Sequence, residues 1–243
     1  MNAVPLYRLE KEFERYGLAI TRQNMANWMI RLGESYLGIM YDYLHKLLYQ
    51  YHVIQADETP VLVNKDGRPT GSKSWMWVYR SGFMYADKQI ILYEYQKTRN
   101  ASHPREFLKN YAGICVTDGY QVYHTLAKEK EDLRIAGCWV HCRRKFHEAL
   151  EIIPKDLRKQ SVLYLLMNQI RAIYREEGKL SELTSDERLI QRQLVVKPLA
   201  DAFFAYLKQI SDRIPKSGKS REAVTYALNQ ERYLRVFLED GDV

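Results

Sequence analysis

Residues 53–63 read VIQADETPVLV. Branched and apolar residues dominate the stretch, the composition of a buried β-strand, yet Asp57 and Glu58 stand in its middle. Taking an unpaired carboxylate out of water costs at least ~2–3 kcal/mol, so each acid needs a partner or a task. The β pattern continues outward. SWMWVYRSG (74–82) and QIILYEYQ (89–96) are rich in Trp, Tyr, Val and Ile, and the turn-forming stretches NKDGRPTGSK (64–73) and SGFMYADK (81–88) set them off, which predicts three antiparallel strands. SHPREFLKNY (102–111) predicts a helix capped by Ser102, with Pro104 in its first turn and an end near Gly113. GICVTDGY (113–120) reads as a short buried strand ending at Asp118, YQVYHTLAKEK (120–130) as a helix, LRIAGCWV (133–140) as a strand and HCRRKFHEALEII (141–153) as a helix.

The resulting order, β-β-β-α-β-α-β-α, is that of an α/β protein with a ribonuclease-H-like mixed sheet. In that order Asp57 lies on the first strand and Asp118 at the end of the fourth, two strands that are neighbours in such a sheet. Their carboxylates can then converge. Converging carboxylates repel unless a cation sits between them, and hard oxygen donors suit Mg²⁺ or Mn²⁺. The plainer alternative is that each acid is a cap or a surface residue at a strand end. Glu58 should point to the opposite face of the strand, where a salt bridge or solvent contact is its expected role.

Upstream, residues 6–16 have helical spacing and stop at Gly17, and Thr21 is placed to cap RQNMANWMIRLGESYLGIMYDYLHKLLYQY (22–51), with a break expected near Gly33. The opening GLAITRQNMANWMIR (17–31) has the look of a helix-turn-helix, against the alternative of a plain helical lead-in. From residue 151 onward every periodic segment is helical. The division expected is a helical lead-in over 1–52, an α/β core over 53–150 and a helical region over 151–243. With 243 residues and 46% hydrophobic residues the chain can bury a core, and three cysteines are too few and too odd in number for a disulfide framework. No apolar run is long enough to span a bilayer and the start lacks a signal-peptide pattern, so a cytoplasmic protein with no membrane partner is expected. The net charge of +7 favours a polyanion. Residues 53–150 hold 15 Lys and Arg against 11 Asp and Glu, which directs any DNA contact to a folded surface rather than a basic tail.

Five segments, ADETPVLV, WMWVYRSG, HPREFLKNYAG, TDGYQVY and GCWVHCRRKFHEAL, occur in an order and at a spacing that resemble the insertion sequence 66 family of bacterial transposases. The resemblance covers nearly the whole chain. It implies a DDE transposase whose ribonuclease-H-like core is interrupted by a helical insertion, with Asp57 as first and Asp118 as second catalytic acid and Mg²⁺ or Mn²⁺ as cofactor. The implied chemistry is two-metal phosphoryl transfer, strand cleavage followed by strand transfer at transposon ends. The implied partners are double-stranded DNA, as terminal inverted repeats and target, and further transposase subunits by self-association, on the nucleoid when DNA is bound. The family's third acid, a glutamate, lies in a motif like DNNAAER a little after a stretch resembling FLEDG. Here VFLEDGDV are the last residues, so the expectation is that this chain lacks the third acid and is a core fragment or truncated copy. Glu148 and Glu151 follow Asp118 at an integrase-like spacing and offer a substitute. Two other readings stand beside the active enzyme: a catalytically inactive DNA-binding remnant, and a ribonuclease-H-like nuclease.

The segment CWVHCRRKFH (138–147) carries two further expectations. Cys138 and His141 form a C-x-x-H pair resembling a motif that supports the core in related transposase groups. A zinc site of Cys138, His141, Cys142 and His147 is the sharper alternative, although four ligands from one short helix cannot easily surround a tetrahedral ion. Arg143, Arg144 and Lys145 are the candidates for DNA phosphate, with a solvated helix face as the alternative.

Overall fold

The computed structural model describes residues 4–63 and 67–243, and residues 64–66 of the first expected turn lie outside it. The chain packs as two units, Met1–Gln50 and Tyr51–Val243. In the first, helix α1 (Leu6–Arg15) ends at Gly17, whose φ of 74° is one that glycine adopts without steric cost. Thr21 Oγ1 accepts the Asn24 N–H at 3.2 Å and caps α2 (Arg22–Leu32) as the sequence predicts. The break expected at Gly33 does not occur. Gly33 keeps helical dihedrals, residues Gly33–Leu37 wind as one π-helical turn, and the helix runs on into α3 (Gly38–Leu48). A π-turn absorbs an extra residue without leaving the helix.

In the second unit five described strands form one mixed sheet: β1 (Val53–Leu62), β2 (Lys73–Ser81), β3 (Ile91–Gln96), β4 (Gly113–Thr117) and β5 (Leu133–Gly137), in the order β3-β2-β1-β4-β5. Short connections make β1–β2 and β2–β3 antiparallel. The longer crossovers through α4 (Ser102–Phe107) and α5 (Gln121–Glu129) make β4 parallel to β1 and β5 parallel to β4. Helix α6 (Trp139–Glu151) follows β5. The fold is thus α/β, with the strands where the sequence places them.

Local details differ from the sequence reading. SGFMYADK is not a plain turn, since Phe83–Lys88 coil into 3₁₀ turns. Ser102 does not cap α4. Asn100 Oδ1 accepts the Ser102 N–H at 2.9 Å, so the polar cap lies two residues earlier. The helix stops at Phe107, well short of Gly113. The chain after it turns inward to bury Tyr111, whose hydroxyl donates to the carbonyls of His52 (2.8 Å) and Ile114 (2.9 Å). Gly113 then enters β4 with φ 143°, where a Cβ would meet His52 O at 2.5 Å.

The sheet has two covered faces. On one, Ile54, Ala56 and Glu58 alternate inward beside their β2 partners Ser81, Tyr79 and Trp77, and Phe107 and Tyr123 pack there. On the other, Val53, Ile114 and Ala136 join Val236. Beyond lies a helical core from α6, α7 (Val162–Gly178), α9 (Lys197–Ile210) and α10 (Lys219–Leu234). Helix α8 (Ser185–Gln191) reaches α9 through a second π-helical segment, Arg192–Val196. Arg188 and Arg192 are each only 1% exposed. Arg188 donates to the carbonyls of Leu180, Leu183 and Gly241. Arg192 donates to those of Phe237, Asp240 and Val243 and pairs with Glu177 at 2.8 Å. Backbone oxygens therefore satisfy the Arg188 fork, and backbone oxygens together with the Glu177 carboxylate satisfy that of Arg192. No described helix is long and apolar enough to cross a membrane.

Candidate active site

The site forms where the sheet opens. β1 pairs with β4 only over Val53–Gln55, so the second half of β1 has a free edge on that side. Pro60, which has no N–H to donate, is tolerated there. The order of strands reverses between β1 and β4, and in open α/β sheets the crevice beyond the carboxyl ends of parallel strands at such a point is where ligands bind. The register fixes what lies in it. Val53 pairs with Ile114, Ile54 with Cys115 and Gln55 with Val116, a constant offset of 61 residues. Asp57 and Asp118 have that same separation but lie beyond the paired segment, and both are near enough to His141 to raise it. Asp57 thus lies on the unpaired part of β1, and Asp118 on the turn just after β4.

The two acids are held differently. Asp57 has its side chain 59% exposed. Its Oδ1 accepts only the Glu58 N–H, at 2.9 Å, and its Oδ2 lies 3.8 Å from His141 Nε2. Asp118 is 24% exposed. It sits on the turn from β4 into α5, where its Oδ1 accepts the Tyr120 N–H at 2.8 Å, and its Oδ2 lies 3.8 Å from Arg99 Nη2. Gly119, next to it, leaves room for α10: a Cβ there would stand 2.8 Å from Tyr226 Cε2.

Glu58, on the other face, has a fully buried side chain. Arg99 Nε donates to its Oε1 at 2.7 Å, Arg99 Nη2 donates to the same oxygen, and Tyr123 Oη donates to Oε2 at 3.3 Å. Burial, foremost, pushes the Glu58 carboxyl above the ordinary carboxylate range; Arg99 opposes this, and Asp118 and Asp57 add to it. The salt bridge that the sequence allowed for Glu58 is present. Its partner, in the loop after β3, carries no motif that marks it.

Cys138 and His141 meet at the start of α6. Burial works against ionisation of the Cys138 thiol, but the His141 ring and the backbone N–H groups of His141 and Val140 outweigh it and lower its pKa. His141 is raised, chiefly by the Cys138 side chain against the opposing effect of burial, then by Asp57 and Asp118. The pair is close, yet His141 Nδ1 is buried outside hydrogen-bonding geometry with any described residue.

The other sequence candidates lie apart from the acids. Cys142 is buried in the helical core, where burial raises its thiol, and His147 is exposed. Among the described residues no three His, Cys, Asp or Glu side chains are grouped to hold a metal ion, so the zinc quartet is not assembled. Arg143 and Arg144 are exposed, while Lys145 packs over the Tyr226 ring at 5.1 Å. Glu148 lies 3.8 Å from Lys219 and Glu151 pairs with Arg158 at 2.9 Å. Two helical turns separate His141 from Glu148, about 10 Å along α6, which carries both glutamates away from Asp57.

Two acids at the mouth of a mixed α/β sheet, with a Cys-His pair beside them, define the class of site. The whole chain, residues 1–243, matches the transposase IS66 family, and the protein belongs to that family. It is similar to two proteins of Sinorhizobium fredii strain NGR234. One is uncharacterized protein y4qI, 30% identical across 100% of this chain and 46% of that one. The other is uncharacterized protein y4jD, 26% identical across 99% of this chain and 47% of that one. The chain thus spans about half the length of the relatives it matches. Among solved structures, a chain of the simian T-cell lymphotropic virus intasome in complex with the PP2A regulatory subunit B56 gamma aligns at 12% identity. It covers 47% of this chain and 48% of that one, with a TM-score of 0.26, a likeness too weak to inform the fold.

Proposed function

We propose that residues 53–150 are the ribonuclease-H-like core of a DDE transposase, with 151–243 as its helical insertion, and that Asp57 and Asp118 hold divalent metal for strand cleavage and strand transfer at transposon ends. The observation that supports this is the 61-residue offset between β1 and β4 over Val53–Gln55, which extended by two residues would make Asp57 and Asp118 counterparts at an open strand end, near the His141 that both of them raise. The donor set fits Mg²⁺ or Mn²⁺: oxygen ligands only, on neighbouring strands, mutually repulsive without a cation. When bound, such ions activate the attacking hydroxyl and stabilise the leaving oxygen in an in-line displacement at phosphorus. The chain's own residues do the rest. The Tyr120 N–H fixes one Asp118 oxygen, the other lies 3.8 Å from Arg99, and His141 adds positive charge beside Asp57 when protonated. Arg143 and Arg144 offer charge for duplex phosphates.

A second reading has specific support. Arg99 lies against Asp118, and no third described acid joins the pair, as in a DNA-binding remnant that does no chemistry. The test is cleavage and joining of a duplex carrying the cognate transposon end, using these residues followed by the family's glutamate-bearing segment. Activity lost on Asp57→Asn, on Asp118→Asn and on Gln in place of that glutamate supports the proposal. Activity that survives both aspartate changes would overturn it, and inactivity of the extended wild type with intact duplex binding would favour the remnant.

A further inference from the structure

Arg99 is built unlike the other fixed arginines of this protein. Arg188 and Arg192 are sealed in the core and spend their donors on backbone carbonyls and, for Arg192 Nε, on Glu177. Arg99 is also fixed, by two bonds to the buried Glu58 carboxylate and by lying between the Trp75 ring (5.0 Å) and the Tyr120 ring (3.9 Å). Tyr120 Oη in turn donates to the Arg99 carbonyl at 2.8 Å, which ties the loop after β3 to the turn that carries Asp118. Yet the Arg99 side chain remains 35% exposed. Its Nη1 has no partner among the described residues, and its Nη2 only approaches Asp118, at 3.8 Å. A guanidinium held rigid on one edge and left open on the other, beside two acids, is preorganised for a second anion. Arginine forks match phosphate oxygens in particular.

We infer that Arg99 is a phosphate-binding residue of the proposed active site: its open edge takes a non-bridging oxygen of the DNA strand that lies over Asp57 and Asp118, and Glu58 is the residue that positions it. The inference rests on the DNA-processing reading and adds a contact on the loop after β3, separate in the chain from the basic residues of α6. It also gives Glu58 a task of its own. A buried carboxylate one residue from a metal-binding aspartate serves poorly as a ligand, since it faces the wrong way, and serves well as the anchor of a cation.

The experiment measures binding of the full 243-residue chain to a short duplex of arbitrary sequence over a range of salt concentrations, with the Mn²⁺-induced change in melting temperature read in parallel. Arg99→Ala should lower affinity and flatten the log–log salt slope by about one, with the Mn²⁺ shift kept. Arg99→Lys should keep the slope and still bind more weakly, because the point charge lacks the fork. Glu58→Gln should do the same by releasing the fork. Wild-type affinity in Arg99→Lys would overturn the assignment, even if Arg99→Ala failed to fold, and so would an unchanged slope in a folded Arg99→Ala. Loss of the Mn²⁺ shift together with DNA binding in Arg99→Ala would also overturn it, by reducing Arg99 to a support for the acids. If the wild type itself showed no salt-dependent binding, the DNA reading would fall, and this inference with it.

Discussion

Mn²⁺ should stabilise this chain, and the gain should depend on both acids. Two carboxylates with few preset contacts make a weak site, for which a dissociation constant on the order of 1 mM is reasonable. At about 10 mM Mn²⁺ the linkage RT ln(1 + [L]/Kd) is then about 1.4 kcal/mol. For a chain of this size that is a rise of about 3–6 °C in melting temperature. The structure explains why the variants should stay folded. Asp57 is largely exposed and makes a single local hydrogen bond, so Asp57→Asn should move the metal-free melting temperature little. In Asp118→Asn the amide oxygen can still accept the Tyr120 N–H, and the ion pair with Arg99 that the change removes is long and partly exposed, worth at most about 1 kcal/mol. Each variant should therefore melt near the wild type without metal and fail to rise with it, as scanning calorimetry with and without Mn²⁺ would show. An undiminished rise in both variants would refute the convergence of the two acids.

Further outcomes are expected. Replacing Arg143 and Arg144 with Ala should flatten the salt dependence of duplex binding by up to about 2 in log–log slope, while Lys145→Ala, whose side chain packs on Tyr226, should change it less; equal effects at all three would contradict the geometry. Arg192→Ala should cost about 3 kcal/mol or more in urea unfolding, because the carbonyls of Phe237 and Asp240 and the Glu177 carboxylate lose their donor together. His141 has a raised pKa, so its charged form stabilises the fold fully below the ordinary value of 6.5 and that contribution fades as pH rises through the folded value; the stability gap between wild type and His141→Gln should widen on acidification from pH ~8 to ~6, and a gap independent of pH would contradict the pairing. The 243 residues alone should neither nick nor join transposon-end DNA in Mg²⁺ or Mn²⁺, and metal-dependent cleavage by them would redirect the search for a third acid to Glu148 and Glu151.

The strands were legible because each carries its own signal, β-branched and aromatic runs between turn residues, whereas the adjacency of β1 and β4, which the structure shows, came only from the ribonuclease-H-like order assumed for them. The cap of α2 at Thr21 was legible too, but that of α4 was not. Ser102 and Asn100 are both good caps, and the choice between them depends on how the chain leaves β3, which no local pattern encodes. The pairing of Arg99 with Glu58 spans 41 residues and follows no periodicity. The buried arginines Arg188 and Arg192 were equally hidden, since in sequence they look like the solvated face of an amphipathic helix, and the return of residues 237–243 over them supplies much of the set of acceptors that lets them be buried.

The two acids of the opening stretch thus solve one electrostatic problem in opposite ways. Glu58, on the buried face, is neutralised within the fold by a guanidinium that arrives from a distant loop, and its charge is a fixed part of the structure. Asp57, one residue earlier and on the other face, has among the described residues a half-buried histidine at 3.8 Å and the Glu58 N–H as its partners. On the reading proposed above, the weakly held Asp57, together with Asp118 and the Arg99 that lies 3.8 Å from Asp118, is the acid available to a divalent cation. That asymmetry follows from the alternation of a single strand. It separates the acid that holds the fold from the acid proposed to hold metal.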